Sequence, residues 1–194
     1  MWIYQKKTEF PINITSPDLR VAKALMAQYG GPDSELGAGM RYLTQRFTMP
    51  DDRLRATLND IGTEEIAHWE MIGVMISQTV AGASLADIEQ AGLMGYYTMH
   101  GRGVYPADPN GVPFTASYIQ STGDPVADIF EDLAAEQKAR VTYEHIMDQT
   151  DCEQYLAPLR FLREREVVHF QRFSECMNIL REILPEPRRP RARG

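Results

Sequence analysis

Two short strings carry the residue types best suited to chemistry: Glu65-Ile-Ala-His68 and Glu166-Val-Val-His169. On a helix of 3.6 residues per turn, a glutamate and a histidine three apart share one face, one turn from each other. The chain has 4 histidines, so half of them stand in this relation to a glutamate. Two more glutamates complete a pattern: Glu35 lies 30 residues before Glu65, and Glu136 lies 30 residues before Glu166. One Glu-x-x-His carries little weight, because most such pairs are a surface glutamate with a histidine nearby. Two copies with matched partners at matched spacing are the ligand inventory of a dinuclear carboxylate site. Two helices each give one glutamate, and the other two each give a Glu-x-x-His.

Four carboxylates and two neutral imidazoles suit a pair of divalent ions of the manganese or iron kind. Zinc would be expected to bring cysteines or a third histidine. Two adjacent redox ions invite two-electron chemistry on a peroxide or oxygen ligand. Spacing alone leaves peroxide disproportionation, iron oxidation and oxygen activation open.

Such a site needs four helices, each with a glutamate in its apolar seam, and the sequence offers them. Residues 1 to 15 read as an extended arm. Ser16-Pro17 suggests an N-cap with proline at the first helical position, for a helix to about Tyr29. Gly30-Gly31-Pro32 breaks it, and Asp33 or Ser34 can cap a second segment through Phe47. One distorted helix fits the same residues. On that segment Glu35, Tyr42 and Arg46 share a face, with Leu36, Met40, Leu43 and Phe47 as the apolar stripe beside it.

Met49-Pro50-Asp51-Asp52 starts the next helix, expected to run to about Val80 with the stripe Leu54, Leu58, Ile61, Glu65, His68, Ile72 and Met75. Glu65 and His68 occupy slots where leucines would sit in a plain bundle. A buried, unpaired carboxylate costs several kcal/mol, so both residues need partners, either a cation or each other. Residues 84 to 91 suggest a short helix ending at Gly92. Residues 93 to 123, rich in glycine, proline and aromatics such as Tyr96 and Tyr97, are too long for a passive loop and should bridge two hairpins. His100 lies there, where a solvated or hydrogen-bonded histidine is the expectation.

Asp124-Pro125 caps a third long helix with the stripe Val126, Ile129, Leu133, Glu136, Arg140, Tyr143 and Met147. Arg140 is expected to reach the surface, and His145 to be exposed. The last helix is expected from about Pro158 to Leu184, with the stripe Leu159, Leu162, Glu166, His169, Phe173, Cys176, Leu180 and Ile183. The fold expected is therefore all-α: a four-helix bundle of two helical hairpins joined by a long crossover. Residues 1–184 make one domain, and 185–194 form a basic tail too polar to pack.

Composition narrows the setting. A chain of 194 residues, 43% hydrophobic and 24% charged, is ordinary for a globular protein. Its net charge of -7 argues against nucleic acid as a partner. Cys152 and Cys176 form neither a CxxC nor a disulfide framework, as expected in a reducing compartment. The N-terminus lacks the apolar stretch of a signal peptide, and no apolar run approaches the ~18 residues needed to span a bilayer. The expectation is a soluble, cytoplasmic protein with no membrane partner.

Four strings, Gly62-Thr-Glu-Glu-Ile-Ala-His-Trp-Glu-Met-Ile72, Gly111-Val-Pro-Phe-Thr-Ala-Ser-Tyr-Ile119, Asp132-Leu-Ala-Ala-Glu-Gln-Lys-Ala-Arg140 and Leu162-Arg-Glu-Arg-Glu-Val-Val-His169, resemble the manganese catalase family. The opening Met1-Trp2-Ile3-Tyr4, with Gln28-Tyr-Gly-Gly31, is most like its spore-coat branch. The resemblance extends to about residue 182. It implies a ferritin-like bundle holding two manganese ions per subunit, conversion of hydrogen peroxide to water and oxygen, a homo-oligomer (often a hexamer), and assembly with other spore-coat proteins. By the same resemblance Glu35, Glu65, His68, Glu136 and His169 match the metal ligands, with Glu65 bridging. Glu166 matches a carboxylate just off the metals that acts as acid and base, and Tyr42 matches an outer-sphere tyrosine.

Two departures from the pattern stand out. Ala135 occupies a position where some members carry a basic residue, and the sequence stops at Gly194, short of the extension by which longer members clasp their neighbours. The alternatives are a di-iron oxidase or iron handler, in which Glu166 would itself bind metal, and a non-enzymatic structural coat protein.

Overall fold

The computed structural model describes residues 7–93 and 103–184. The expectations for Tyr96, Tyr97, His100 and the basic tail concern residues outside that set. Six α-helices are present among the described residues: α1 (Leu19–Gly30), α2 (Glu35–Gln45), α3 (Asp52–Val80), α4 (Leu85–Gln90), α5 (Pro125–Met147) and α6 (Glu153–Ile183). A short 3-10 turn spans Ala116–Tyr118. The segments α1 and α2 together form one column of a four-column bundle whose other columns are α3, α5 and α6. The α1–α2 column packs on α3 and α5, and α6 packs on α3 and α5.

Local chemistry sets most of the boundaries. Ser34 accepts from the Gly37 amide and caps α2, so the α1–α2 column is two helices and not one bent one. Asp51 caps α3, and Asp124 accepts from the amides of Val126 and Ala127 at the start of α5, with Pro125 at the first helical position. Ser84 and Asp87 form a capping box on α4.

Two starts depart from the sequence expectation. Asp18, not Ser16, caps α1, since its carboxylate bonds the Arg20 amide while the Ser16 amide is taken by Gln154. The helix α6 begins at Glu153, five residues before Pro158. Pro158 stands in the second turn, where it has no N–H for the carbonyl of Gln154 and its ring crowds that carbonyl, so it does not mark the helix start.

The buried apolar side chains fall into two clusters. One gathers Val21, Leu25, Tyr29, Met71, Ile72, Met75, Tyr143, Leu159 and Leu162, among others. The other gathers Tyr42, Leu54, Leu58, Ile61, Ile129, Phe173, Cys176 and Leu180. Every column passes through both, so α3 and α5 run in the same direction and α1–α2 and α6 run against them. Parallel α3 and α5 require the long crossover between them. Its described part is tied down by the buried Arg41, whose guanidinium donates to the carbonyls of Tyr118 and Ile119, each at 2.9 Å. Asp128 also holds it, accepting from Thr122 and Gly123. Where the crossover passes Gly30, a Cβ would lie 2.2 Å from the Ala107 nitrogen, so only glycine fits.

The stripe assigned to α2 is corrected by the structure. Met40 and Phe47 are 40% and 76% exposed, and the buried face is Glu35, Arg41, Tyr42 and Gln45. On α5, Asp128 and Asp132 are fully buried, while Val126 and Leu133 are partly buried and pack against the second cluster. Polar partners across the bundle take inward positions that hydrophobicity alone assigns to apolar residues. The α3 stripe is buried throughout, and Arg140 and His145 face outward as expected.

Candidate metal centre

Between the two apolar clusters, each column turns a carboxylate inward. Glu35 is the first residue of α2, placed there by the break after Gly31. Glu65 and His68 follow Ile61 on α3, Glu136 sits between Ile129 and Tyr143 on α5, and Glu166 and His169 lie between Leu162 and Phe173 on α6. All six are at most 1% exposed. Close helix contact brings the first column in: a Cβ on Gly39 would lie 2.8 Å from Ile66, and one on Gly62 would lie 2.9 Å from Leu43. These glycines let the backbones of α2 and α3 approach beside Glu65.

The six form two overlapping groups, Glu35, Glu65, His68 and Glu166, and Glu65, Glu136, Glu166 and His169. In each group, one ligand atom per residue lies within 4.8 Å of all the others. Glu65 belongs to both and faces both rings, with Oε2 2.9 Å from His68 Nδ1 and Oε1 2.7 Å from His169 Nδ1. The second pair is close but not aligned for a hydrogen bond, and Glu65 Oε1, Glu136 Oε2, Glu166 Oε1 and His169 Nδ1 all lack a hydrogen-bond partner. Four buried carboxylates cannot stay charged beside one another without compensation. Unpartnered donor atoms of the right types, converging around two volumes, fit two divalent ions.

Two tyrosines brace the terminal carboxylates by crossing the bundle. Tyr42 of α2 donates to Glu136 of α5, and Tyr143 of α5 donates to Glu35 of α2. Burial, and then the adjacent carboxylate charge, pushes both phenols well above their ordinary range, so both remain donors. Phe173 packs edge-on against Tyr42 at 4.8 Å.

The carboxyls differ from one another. Burial, followed by the charge of Glu65, pushes Glu35 up to about 8 and also raises Glu136. Burial and the charges of Glu35, Glu65 and Glu136 push Glu166 well above the carboxylate range. Glu65 is depressed, because the opposing effect of burial is outweighed by His169 and His68. Burial would disfavour charge on His68, but Glu35, Glu64 and Glu65 raise it; His169 is raised in the same way by Glu65, Glu136 and Glu64. Both rings thus serve as counter-ions to the carboxylates, a role a metal ion also fills.

The structure therefore brings Glu35, Glu65, His68, Glu136, Glu166 and His169 into one cluster and sets Tyr42 on Glu136. Among the residues around the cluster that the sequence reading passed over are Tyr143, which bonds Glu35, Glu64, which faces both rings, and Arg165, which bonds Glu64. Each had a signal. Tyr143 follows Glu136 by seven, as Tyr42 follows Glu35, and Glu64 and Arg165 immediately precede the two Glu-x-x-His strings.

Comparison with known proteins agrees with this geometry. The family described as manganese containing catalase matches residues 1–191. Protein CotJC of Bacillus subtilis is 48% identical over 182 residues, which is 94% of this chain and 96% of that protein. A probable manganese catalase of Clostridium acetobutylicum is 31% identical over 167 residues, 86% of this chain and 74% of its own length. The crystal structure of wild-type KatB, a manganese catalase from Anabaena, superposes with a TM-score of 0.87 at 30% identity, covering 98% of this chain and 87% of KatB. The all-α, ferritin-like bundle expected from the sequence is the fold found. Among the described residues no helix is long and apolar enough to cross a membrane.

Proposed function

Because this chain belongs to the manganese-containing catalase family, we propose that it disproportionates hydrogen peroxide to water and dioxygen at a pair of manganese ions. Glu35, Glu65 and His68 would hold one ion, and Glu65, Glu136 and His169 the other, with Glu65 as the bridge. Bound manganese supplies a two-electron store that one peroxide fills and the next empties. Oxidation of one peroxide to dioxygen releases two protons and two electrons, and reduction of a second to two waters consumes them, so the protein must park protons between the halves.

Glu166 is the group suited to that task. It lies within the cluster, with Oε1 4.0 Å from His68 Nδ1, yet that oxygen has no hydrogen-bond partner. Its proton affinity, raised by burial and the neighbouring carboxylates, suits a group that takes up a proton and returns it. Tyr42 would hold Glu136 in place through its hydrogen bond and keep the phenol proton available at that carboxylate.

The observation that carries this reading is the contrast between the two Glu-x-x-His carboxylates. Glu65 lies 2.9 and 2.7 Å from the two ring Nδ1 atoms, whereas Glu166 Oε1 stands 4.0 Å from His68 Nδ1 and has a raised affinity for protons. A di-iron oxidase would call on Glu166 as a ligand. We assign the protein to the cytoplasm and then the spore coat, as a homo-oligomer with other coat proteins as neighbours. This assignment rests on the resemblance of its opening residues to the spore-coat branch and on its near full-length match to CotJC.

An oxygen electrode and metal analysis on Glu166→Gln test the reading together. The variant should keep both ions while turnover drops by roughly 10²- to 10⁴-fold, the usual contribution of a positioned acid or base. Loss of an ion in that variant would favour the di-iron reading.

A further inference from the structure

The residues just before the two Glu-x-x-His strings are of opposite charge, Glu64 and Arg165, and they meet. Arg165 Nε donates to Glu64 Oε1 at 2.5 Å and Nη2 to Oε2 at 3.3 Å. The same carboxylate faces the outer edge of both histidines: Oε1 is 3.5 Å from His68 Nε2, and Oε2 is 3.3 Å from His169 Nε2. The rings are nearly parallel, 22° apart with centroids at 5.6 Å, so one carboxylate serves both edges. Each ring's Nδ1 points the other way, toward Glu65.

Neither Nε2 makes a hydrogen bond to any group, Glu64 included; at 3.5 and 3.3 Å the Glu64 oxygens stand at ion-pair distance, long for an N–H···O bond. The other carboxylate near a ring edge is Glu9, 3.6 Å from His68 Nε2 with a side chain 40% exposed, against 17% for Glu64. Phe161 closes the side of His68 edge-on, and Phe10 packs on Phe161 at 5.4 Å.

We infer that Glu64 is a positioning residue for both metal-binding histidines at once, accepting the Nε2–H of each ring so that Nδ1 is the nitrogen that gives up its proton to a bound ion, and that Arg165 acts through Glu64. A neutral imidazole has one N–H and one free lone pair, so fixing the proton on Nε2 leaves Nδ1 for a cation. Such outer carboxylates also set ring orientation and raise ligand basicity. What is particular here is that one carboxylate ties both rings, so its loss should loosen both ions together. Arg165 bonds both oxygens of Glu64 and keeps it from turning out to water.

The inference rests on the proposed two-ion site, so its test includes the wild-type protein as a separate arm. Full-length protein loaded with manganese is challenged with excess EDTA, and the release of each ion is timed alongside the melting temperature of the metal-free form. Glu64→Gln should release both ions in one phase, roughly 10- to 100-fold faster than wild type. Arg165→Gln should speed release less, and it should add nothing when combined with Glu64→Gln. Arg165→Lys, which keeps the charge beside Glu64, should restore most of the retention.

Release from Glu64→Gln at the wild-type rate, or of one ion only, overturns the inference. So does an Arg165→Gln effect that persists in the Glu64→Gln background, because a merely structural ion pair would lower the metal-free melting temperature without this dependence. Should Glu64→Gln not fold, Glu64→Asp, which keeps the charge but withdraws the carboxylate, carries the same prediction of joint release. A wild type that binds no manganese defeats the site itself, a result distinct from all of these.

Discussion

The two halves of the centre are built on one plan and differ at two points. One half has Glu35, then Tyr42 seven residues on, then Glu65 and His68; the other has Glu136, Tyr143, Glu166 and His169 at the same intervals. Their braces are reciprocal, since each tyrosine bonds the terminal carboxylate of the opposite half. The halves part at the third carboxylate and at the residue before it. Glu65 is held between both histidines and depressed, whereas Glu166 Oε1 stands 4.0 Å from His68 Nδ1 and the group is raised. Glu64 and Arg165 fill equivalent positions with opposite charge. A symmetric scaffold can hold two ions equally, but proton transfer needs one carboxylate that is not spent on holding them. On the proposed reading, the difference between Glu65 and Glu166 would supply it.

Exchanging that contrast for its opposite should give the largest effect. Glu65→Gln should release both ions, with affinity lower by more than the roughly 100-fold expected from losing an outer partner, whereas Glu166→Gln should release neither. Metal content after gel filtration separates the two outcomes. Loss of metal in both variants would mean that both carboxylates are ligands and that the halves are equivalent.

The tyrosine braces sharpen the symmetric side of the comparison. Tyr143→Phe and Tyr42→Phe each remove one hydrogen bond from a buried carboxylate, a cost of about 1 to 3 kcal/mol. Each should weaken one ion by roughly 10-fold, the Glu35-side ion for Tyr143 and the Glu136-side ion for Tyr42. Competitive titration with a fluorescent chelator reads the two steps. If both variants weaken the same ion, the crossed arrangement does not act as drawn.

The smallest effect concerns pH. In metal-stripped protein Glu35 is raised from 4.5 to about 8, and Glu136, Glu166, His68 and His169 are raised as well. Groups raised in the folded state stabilise it below their ordinary values, and that contribution is lost as pH rises through the folded ones. Metal-stripped protein should therefore melt lower as pH climbs from about 4.5 toward about 8, while the loaded form gains because ions and protons compete for the same atoms. The depressed Glu64 and Glu65 lose their contribution only below the ordinary carboxylate value, outside this window. The difference in melting temperature between loaded and stripped protein should widen across it, and a constant difference would contradict this.

Much of this arrangement was legible in the chain. Asp51 and Asp124 mark helix starts because their side chains cap locally, and the α3 stripe is legible because its apolar run is long and regular. The six cluster residues stood out because a glutamate in an apolar seam demands a partner. The outward stripe of α2 was misread because partners far along the chain decide which face turns in. Arg41 is buried by carbonyls 77 and 78 residues away, and Tyr42 by a glutamate 94 away. Hydrophobicity within eleven residues does not carry that information. The start of α6 was missed because proline was taken as a first residue when it stands inside the helix. Tyr143 hid in a stripe that also suits an ordinary core tyrosine, and only the repeat of the seven-residue interval gives it away.

The most direct measurement is metal content per chain in protein expressed with manganese supplied, taken on the same sample as peroxide-driven oxygen evolution. The account predicts about two manganese per chain, from the two overlapping ligand groups around Glu65, with oxygen released on adding peroxide. Two metals without oxygen would contradict the catalase reading, and no metal would contradict the site.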